Sequence, residues 1–544
     1  MRVLKPIFYS AMAITTLVGC SSVSKIPVPQ GSNTVVEMTS KKAPLTDYEK
    51  DNWQHLDLAT DSIPGMSVEK AYEFLKGKES TEVIVGVVDS GTDLNHEDLK
   101  DVAWVNTKEI PANGIDDDKN GYVDDINGWN FLGKSYKEHL EYERILMNPS
   151  IADAETLEEV KAYQKKKVDE AKTTEARYGS MLSGINTAID ILTEHFGKSD
   201  FTQKEINDIK TDDLKLKGAI ETSKFAERNG FTLMGIKQPL EQGIKSAKAT
   251  IAGDNLKTDY RTVVGDNPYD INDKPGSGDG NTGHSKKEES HGTHVAGIIG
   301  AKRGNTIGIN GVANVKIMAV RSVSEADEYD KDVALGIRYA VDNGAKVINT
   351  SFGKAFSPNK EWVYDAIKYA AKKDVLIVNA AGNDGKNIDE EKTFPNDAPD
   401  LKTEISDNFL TVGAMSSSYN EQLPASFSNY GKINVDLFAP GVRVNSTTPE
   451  NEYGKKSGTS MAAPSAAGVA ALVRSYYPKL TASQVKRILM NSGIIINFDV
   501  VKPGSQSREN PKGELVPFSE LSVSGRVVNA YNALKMADDM VNKK

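Results

Sequence analysis

The stretch HSKKEESHGTHVAG (284–297) holds His284, His291 and His294, three of the chain's seven histidines. His291 and His294 stand i, i+3 apart, which places both on one face of a helix. That spacing can serve zinc, but no glutamate lies between the two to act as a base. Asp89 closes the apolar run TEVIVGVVDSG (81–91), and the carboxyl end of a buried parallel strand is where α/β sheets place functional groups. Ser460 lies in KSGTSMAAPSAAGVAALV. Pro464 suits the first turn of a helix, so the helix starts close to Ser460 and its positive end favours developing negative charge. Taken singly, each residue has a plainer reading: a capping aspartate, an N-cap serine, a packed histidine.

The elements around these residues have a clear order. VKIMAVRSV (315–323), AKVINTSFG (345–353), DVLIVNAAGN (374–383) and FLTVGAM (409–415) repeat the unbroken apolar pattern of strands buried on both faces. Helical segments at 330–344 and 359–374 separate several of them. The alternation predicts a doubly wound α/β fold, a mostly parallel sheet flanked by helices. Residues 134–260 differ, being Lys/Glu-rich and helical in period. Leu182, Ile185, Ile189 and Leu192 follow a 3-4-3 spacing, and Thr202 to Glu205 has the form of a capping box. This segment is expected to be an α-helical hairpin or small bundle inserted into the α/β domain, between its parts at 51–133 and 261–544.

Three motifs then resemble those of the subtilisin-like serine proteases, the subtilases. They are Asp89 in VVDSGTDLNHEDL, His291 in HGTHVAG and Ser460 in GTSMAAP, in the chain order Asp, His, Ser. NAAGNDG places Asn383 where that family keeps its oxyanion-hole asparagine. The resemblance covers about residues 50–133 and 261–540. It implies a serine endopeptidase in which Ser460 attacks the peptide carbonyl, His291 takes its proton and Asp89 holds the imidazole. It also implies that Ser351, Phe352 and Gly353 pair with an extended substrate, and that Ala380, Ala381 and Gly382 line the pocket for the residue before the scissile bond. His294 is then helix packing, His284 lies in a loop with no task, and Glu288 and Glu289 form a solvated run. Asp384, Asp389, Glu390 and Glu391 would favour basic substrates if they faced the pocket, though a solvated loop explains them as well. The rivals are a catalytically silent binding module on a protease fold and a zinc peptidase. The first predicts a lost catalytic residue, and the second lacks the glutamate and leaves GTSMAAP unexplained.

NGIDDDKNGYVDDINGW (113–129) offers Asp116, Asp118, Asn120, Tyr122 and Asp124 in a D-x-D-x-N-G-x-x-D pattern suited to a hard cation. The twelfth position holds Asn127 in place of the glutamate of a full EF-hand. A looser structural Ca²⁺ loop is expected, and an Asx-rich turn without metal is the alternative. No organic cofactor is implied.

A net charge of −10 argues against nucleic acid and anionic membrane surfaces as partners. The expected partners are protein or peptide substrates, with the chain itself a monomer. At the N-terminus, Arg2 and Lys5 precede an apolar stretch, Ile7 to Val18, too short to span a bilayer. It ends in Leu17-Val18-Gly19-Cys20, which resembles the lipobox of bacterial lipoproteins. Residues 1–19 are thus read as a lipoprotein signal peptide, Cys20 as the lipidated (palmitate-bearing) residue, and 20–50 as a flexible tether. The protein is expected to be exported and lipid-anchored to the cell envelope, with Ser21 leaning toward an outer membrane. Cys20 is the chain's single cysteine, so no internal disulfide supports the fold. WQHLDLATDSIPGMSVEKAY (53–72) resembles the start of the catalytic domain. Little room is left for a prodomain, so either folding proceeds without one or the insertion substitutes.

Overall fold

The computed structural model describes residues 39–542 apart from 229, 285, 286 and 288; the signal segment, Cys20 and Glu288 lie outside the described residues. Its main sheet is built from β1 (Ile84–Asp89), β2 (Gly128–Asn130), β3 (Lys316–Arg321), β4 (Val347–Thr350), β5 (Leu376–Ala380), β6 (Phe409–Met415) and β7 (Leu437–Pro440). A hairpin of β8 (Val444–Thr448) and β9 (Glu452–Lys456) stands apart from it. Two short strands, β10 (Ile494–Ile495) and β11 (Arg526–Val527), complete the sheet in the order β10-β11-β7-β6-β5-β4-β1-β3-β2. All pairings from β7 to β2 are parallel.

The strands fall on the apolar runs because parallel strands sit between two helical layers and bury both faces. Alternation along β1 sorts its side chains. Val85 and Val87 join the core of helices α6 (His291–Gly300) and α9 (Thr459–Tyr476), with α10 (Ala482–Ser492) and α11 (Ala530–Asn542). Val88 joins the opposite core, with α7 (Asp330–Asp342) and α8 (Lys360–Lys372). Each such aliphatic side chain, fully buried, contributes roughly 1.5–3 kcal/mol. The same period of two puts Asp89 on the face of α6 and α9, which carry His291 and Ser460. β3 and β4 flank β1 on either side, so the strand order reverses there, and a crevice opens at its carboxyl end.

Between β2 and α6 the chain leaves the sheet as helices α1 (Glu141–Met147), α2 (Ala154–Phe196), α3 (Gln203–Asn207), α4 (Leu214–Arg228) and α5 (Lys237–Ala252). Asp153 caps α2 by accepting from Thr156 N at 2.8 Å, and Gly197 ends it with φ 64°. Ile185, Ile189 and Leu192 on α2 pack against Leu216, Ile220 and Leu240 in a core of their own, with Leu182 half-buried beside them. Thr202 and Glu205 form the capping box read from the sequence. The two ends of this insertion close on each other: Ser135 Oγ donates to Tyr260 O at 3.2 Å, and His139 Nε2 lies 2.5 Å from Thr258 O. Outside them, Asn130 and Asp279 exchange both backbone hydrogen bonds at 2.9 and 3.0 Å.

Both ends are pinned to the first turn of α7. Arg261 forks onto Asp332 and Asp266, with its shortest contacts at 2.6 and 2.7 Å. Near the other end, Glu141 binds both Arg144 at 2.6 Å and Lys354 at 2.7 Å, and Lys354 reaches Asp330 at 2.8 Å. Burial pushes the Glu141 carboxyl up, but the charges of Arg144 and Lys354 overrule it and hold it below its ordinary value.

Candidate active site

Asp89 and His291 meet at the carboxyl end of β1, and Ser460 stands at the start of α9, which packs against the helix that His291 opens. The carboxylate Oδ1 of Asp89 accepts from Ser90 N at 2.8 Å and lies 2.7 Å from His291 Nδ1. A carboxylate only accepts, so Nδ1 carries the proton and Nε2 keeps its lone pair. His291 opens α6, and Gly292 lets that helix touch the strand end: a Cβ there would fall 2.5 Å from Ser90 O. Lys456, half-buried on β9, donates to Ser290 Oγ at 2.7 Å. Burial lowers its ammonium pKa, while the Asp89 charge works the other way. Nothing in the sequence flagged this lysine.

Ser460 is the second residue of α9, whose positive end faces the cleft. Its Oγ donates to Ser351 O at 3.0 Å, and Ser351 Oγ donates back to Ser460 O at 2.9 Å. Pro464 explains the second bond. It lies inside the helix, in its second turn rather than its first. Having no N–H, it leaves the carbonyl of Ser460 four residues back without a helical donor, and Ser351 takes that place.

Asn383 is exposed beside Ser460, and its Oδ1 accepts from Thr459 N at 2.8 Å and Thr459 Oγ1 at 3.0 Å. Those donors fix the amide orientation and leave the Nδ2 hydrogens for a ligand. The loop carrying Asn383 is organised by buried Asn429, which stands in no motif of the sequence. Its Nδ2 donates to Ala381 O at 2.9 Å, and its Oδ1 accepts from Asp384 N and Lys386 N at 3.0 Å each. Gly382 has φ 104° there, and a Cβ would meet Asn429 Nδ2 at 2.3 Å. Phe352 and Gly353 follow β4 at the cleft edge, and together with Ala380, Ala381, Gly382, Asn383 and Ser460 they line one cavity of about 300 Å³. Ser351 sits behind them and is buried.

Several neighbours depart from expectation. Glu289 is not solvated: its Oε1 binds Arg321 Nε at 2.7 Å and accepts from Gly91 N at 3.2 Å, because β3 brings Arg321 under the loop. His284 is largely buried, with Nε2 3.6 Å from Asp93. His294 is fully buried and its Nε2 donates to Gly454 O at 2.9 Å; burial lowers its pKa to about 3. Of the acidic residues after the pocket, Asp384 lines it, whereas Asp389 accepts from the backbone of Ile433 and Asn434 and Glu391 pairs with Lys386 at 2.9 Å.

In the acidic loop, carboxylate oxygens of Glu109, Asp116 and Asp118 approach within 4.8 Å of one another. Glu109, which precedes the motif, is the member its pattern did not name. Asp124 is not in that group, and its oxygens accept from Asn113 N at 3.1 Å and Gly114 N at 2.9 Å. Asn120 Oδ1 accepts from Tyr122 N at 2.8 Å, while the Tyr122 ring packs on Trp129 and Tyr339. Hard carboxylate oxygens on a tight turn suit Ca²⁺.

Residues 80–513 match the subtilase family. The cell wall-associated protease of Bacillus subtilis (strain 168) is 34% identical over 267 residues, 48% of this chain and 28% of that protein. Subtilisin DY of Bacillus licheniformis is 39% identical over 205 residues, 37% of this chain and 69% of that protein. Thermitase of Thermoactinomyces vulgaris is 36% identical over 238 residues, 43% and 73% respectively. The aligned part thus spans well under half of the cell wall-associated protease and about two thirds or more of the other two. A cold-adapted subtilisin-like serine proteinase of known structure overlays with a TM-score of 0.33 and 29% identity, over 44% of this chain and 74% of that one. The chain belongs to the subtilase family.

Proposed function

We propose that this protein is a serine endopeptidase working through Asp89, His291 and Ser460. The observation that carries the reading is the 2.7 Å contact of His291 Nδ1 with Asp89, which leaves the Nε2 lone pair free on a helix that packs against α9, whose start bears Ser460. In the reaction the Ser460 hydroxyl turns from Ser351 O to His291 Nε2, gives up its proton there and attacks the peptide carbonyl carbon. The oxyanion is met by Asn383 Nδ2 and the Ser460 N–H. Collapse passes the proton from His291 to the departing amine and leaves an acyl-serine, which water, deprotonated by His291, then hydrolyses. Asp89 stays ionised and stabilises the imidazolium in between.

The experiment is covalent labelling with a fluorophosphonate. Labelling of the wild type that disappears in Ser460→Ala is expected, and no labelling of folded wild type would refute the reading. Export and anchoring through lipidated Cys20 belong to the same proposal, supported by the Leu17-Val18-Gly19-Cys20 pattern. Cys20→Ser should release the protein from the membrane fraction, and retention there would contradict the anchor. A Ca²⁺ ion held by Glu109, Asp116 and Asp118 is the third part, supported by their convergence.

A further inference from the structure

The cavity that starts at Ser460 does not end in the peptidase core. Its far wall comes from the helical insertion: Leu140 and Tyr142 at the start of α1, and Tyr163 on α2. The Tyr142 and Tyr163 rings meet edge to face at 5.3 Å, and Tyr163 meets Phe356 in the same way at 5.3 Å. Phe356 lies just past the segment 351–353, so the aromatic chain runs from the insertion into the cleft edge. Tyr142, Ile145 and Val160 form a small core behind the wall. The wall is also tied down by charge, because Lys354, the residue after Gly353, is held by Glu141 of α1 at 2.7 Å.

The charged groups at the rim differ from the aromatic wall. Lys386 is paired with Glu391 and Lys354 with Glu141 and Asp330, Asp327 accepts from Glu141 N at 2.7 Å, and the remaining Lys392 and Asp384 carry opposite signs. The rim therefore favours neither sign, and a charged side chain reaching the wall would lose water without gaining a partner. A large apolar side chain would instead bury area against three aromatic rings.

We infer that the insertion is a specificity element: Leu140, Tyr142 and Tyr163 complete the substrate pocket and select peptides with a bulky apolar side chain, aromatic or long aliphatic, at that position. This rests on the cleft being the peptidase site proposed above. Full-length enzyme would be assayed on peptides alike except for Phe, Leu, Ala, Lys or Glu before the scissile bond. Wild type should cleave the Phe and Leu peptides best. In Tyr163→Ala and Leu140→Ala the Phe-to-Ala ratio of kcat/KM should fall by roughly tenfold or more, on the scale of losing a large apolar contact. The fall should appear mainly in KM for the Phe and Leu peptides, with a smaller change for the Ala peptide. Leu140 is 38% exposed and Tyr163 only partly buried, so neither change empties the main core. Identical preference profiles in wild type and both variants, with labelling intact, would overturn the inference while leaving the peptidase reading standing. Absence of labelling in the wild type would instead remove that underlying reading.

Discussion

The ammonium of Lys354 lies 2.7 Å from Glu141, and both side chains are 2% exposed. This pair joins the residue that follows the cleft-edge segment to the first helix of the insertion. Glu141 also holds Arg144, so Glu141→Ala takes a carboxylate from two buried cations and should destabilise the protein by roughly 3–5 kcal/mol. Replacing both, as Glu141→Leu with Lys354→Met, also takes a cation from Asp330 and leaves Arg144 without Glu141, so it should recover little of that loss. Urea unfolding of the two variants checks this; a double variant as stable as the wild type would argue against it.

Gly292 carries the contact between α6 and the end of β1. In Gly292→Ala the new methyl would overlap Ser90 O, so α6 must move and His291 with it. A shift on the order of 1 Å costs about 10²-fold in rate. Peptide hydrolysis should drop on that scale in kcat, with the melting temperature lowered only moderately.

Asn383→Ala removes the oxyanion donor proposed above, and kcat should fall by about 10²–10³ with little change in KM. Asn429→Ala acts one step behind, freeing the loop that holds Asn383. It should lower kcat as well, but with a loss of stability that Asn383→Ala does not show. Steady-state kinetics and thermal melts on both variants separate the two roles.

The buried, neutral His294 makes stability depend on acid. Its folded-state pKa of about 3 lies below the ordinary value of 6.5, so the unfolded chain binds a proton that the folded chain refuses. Its contribution is whole above about pH 6.5 and is lost as pH falls from there toward 3, at up to about 1.4 kcal/mol per pH unit. His294→Gln abolishes that slope, so the stability gap between wild type and variant should narrow in acid. A gap constant from pH 7 to 4 in chemical denaturation would contradict this.

Chelation should lower the melting temperature by several degrees if Ca²⁺ sits among Glu109, Asp116 and Asp118, following binding linkage. The double variant Asp116→Asn, Asp118→Asn should lose its response to chelator. An equal response in both proteins would place the metal elsewhere.

The sheet was legible because strands buried on both faces must be continuously apolar, and β1, β3, β4, β5 and β6 all lie within the runs read from the sequence. The site residues were legible for a different reason, since they stand in short motifs at element ends. What escaped was contact between distant segments. Glu289 reads as part of an acidic run until β3 delivers Arg321 beneath it. Asn429 and Lys456 act through neighbours that no local pattern announces. Tyr142 and Tyr163 look like ordinary helix residues, and only tertiary packing puts them against Phe356.

The order of strands also sets a timetable for synthesis. Both ladder partners of β1 are made after the whole insertion, at residues 316–321 and 347–350. A growing chain must therefore hold β1 open-edged while the helical segment, with its own core, is free to collapse first. Ser460 emerges later still, behind β7 and the β8–β9 hairpin. A nascent polypeptide of this design carries Asp89 and His291 long before it carries Ser460, so the proposed nucleophile is missing while the rest of the proposed site is already made.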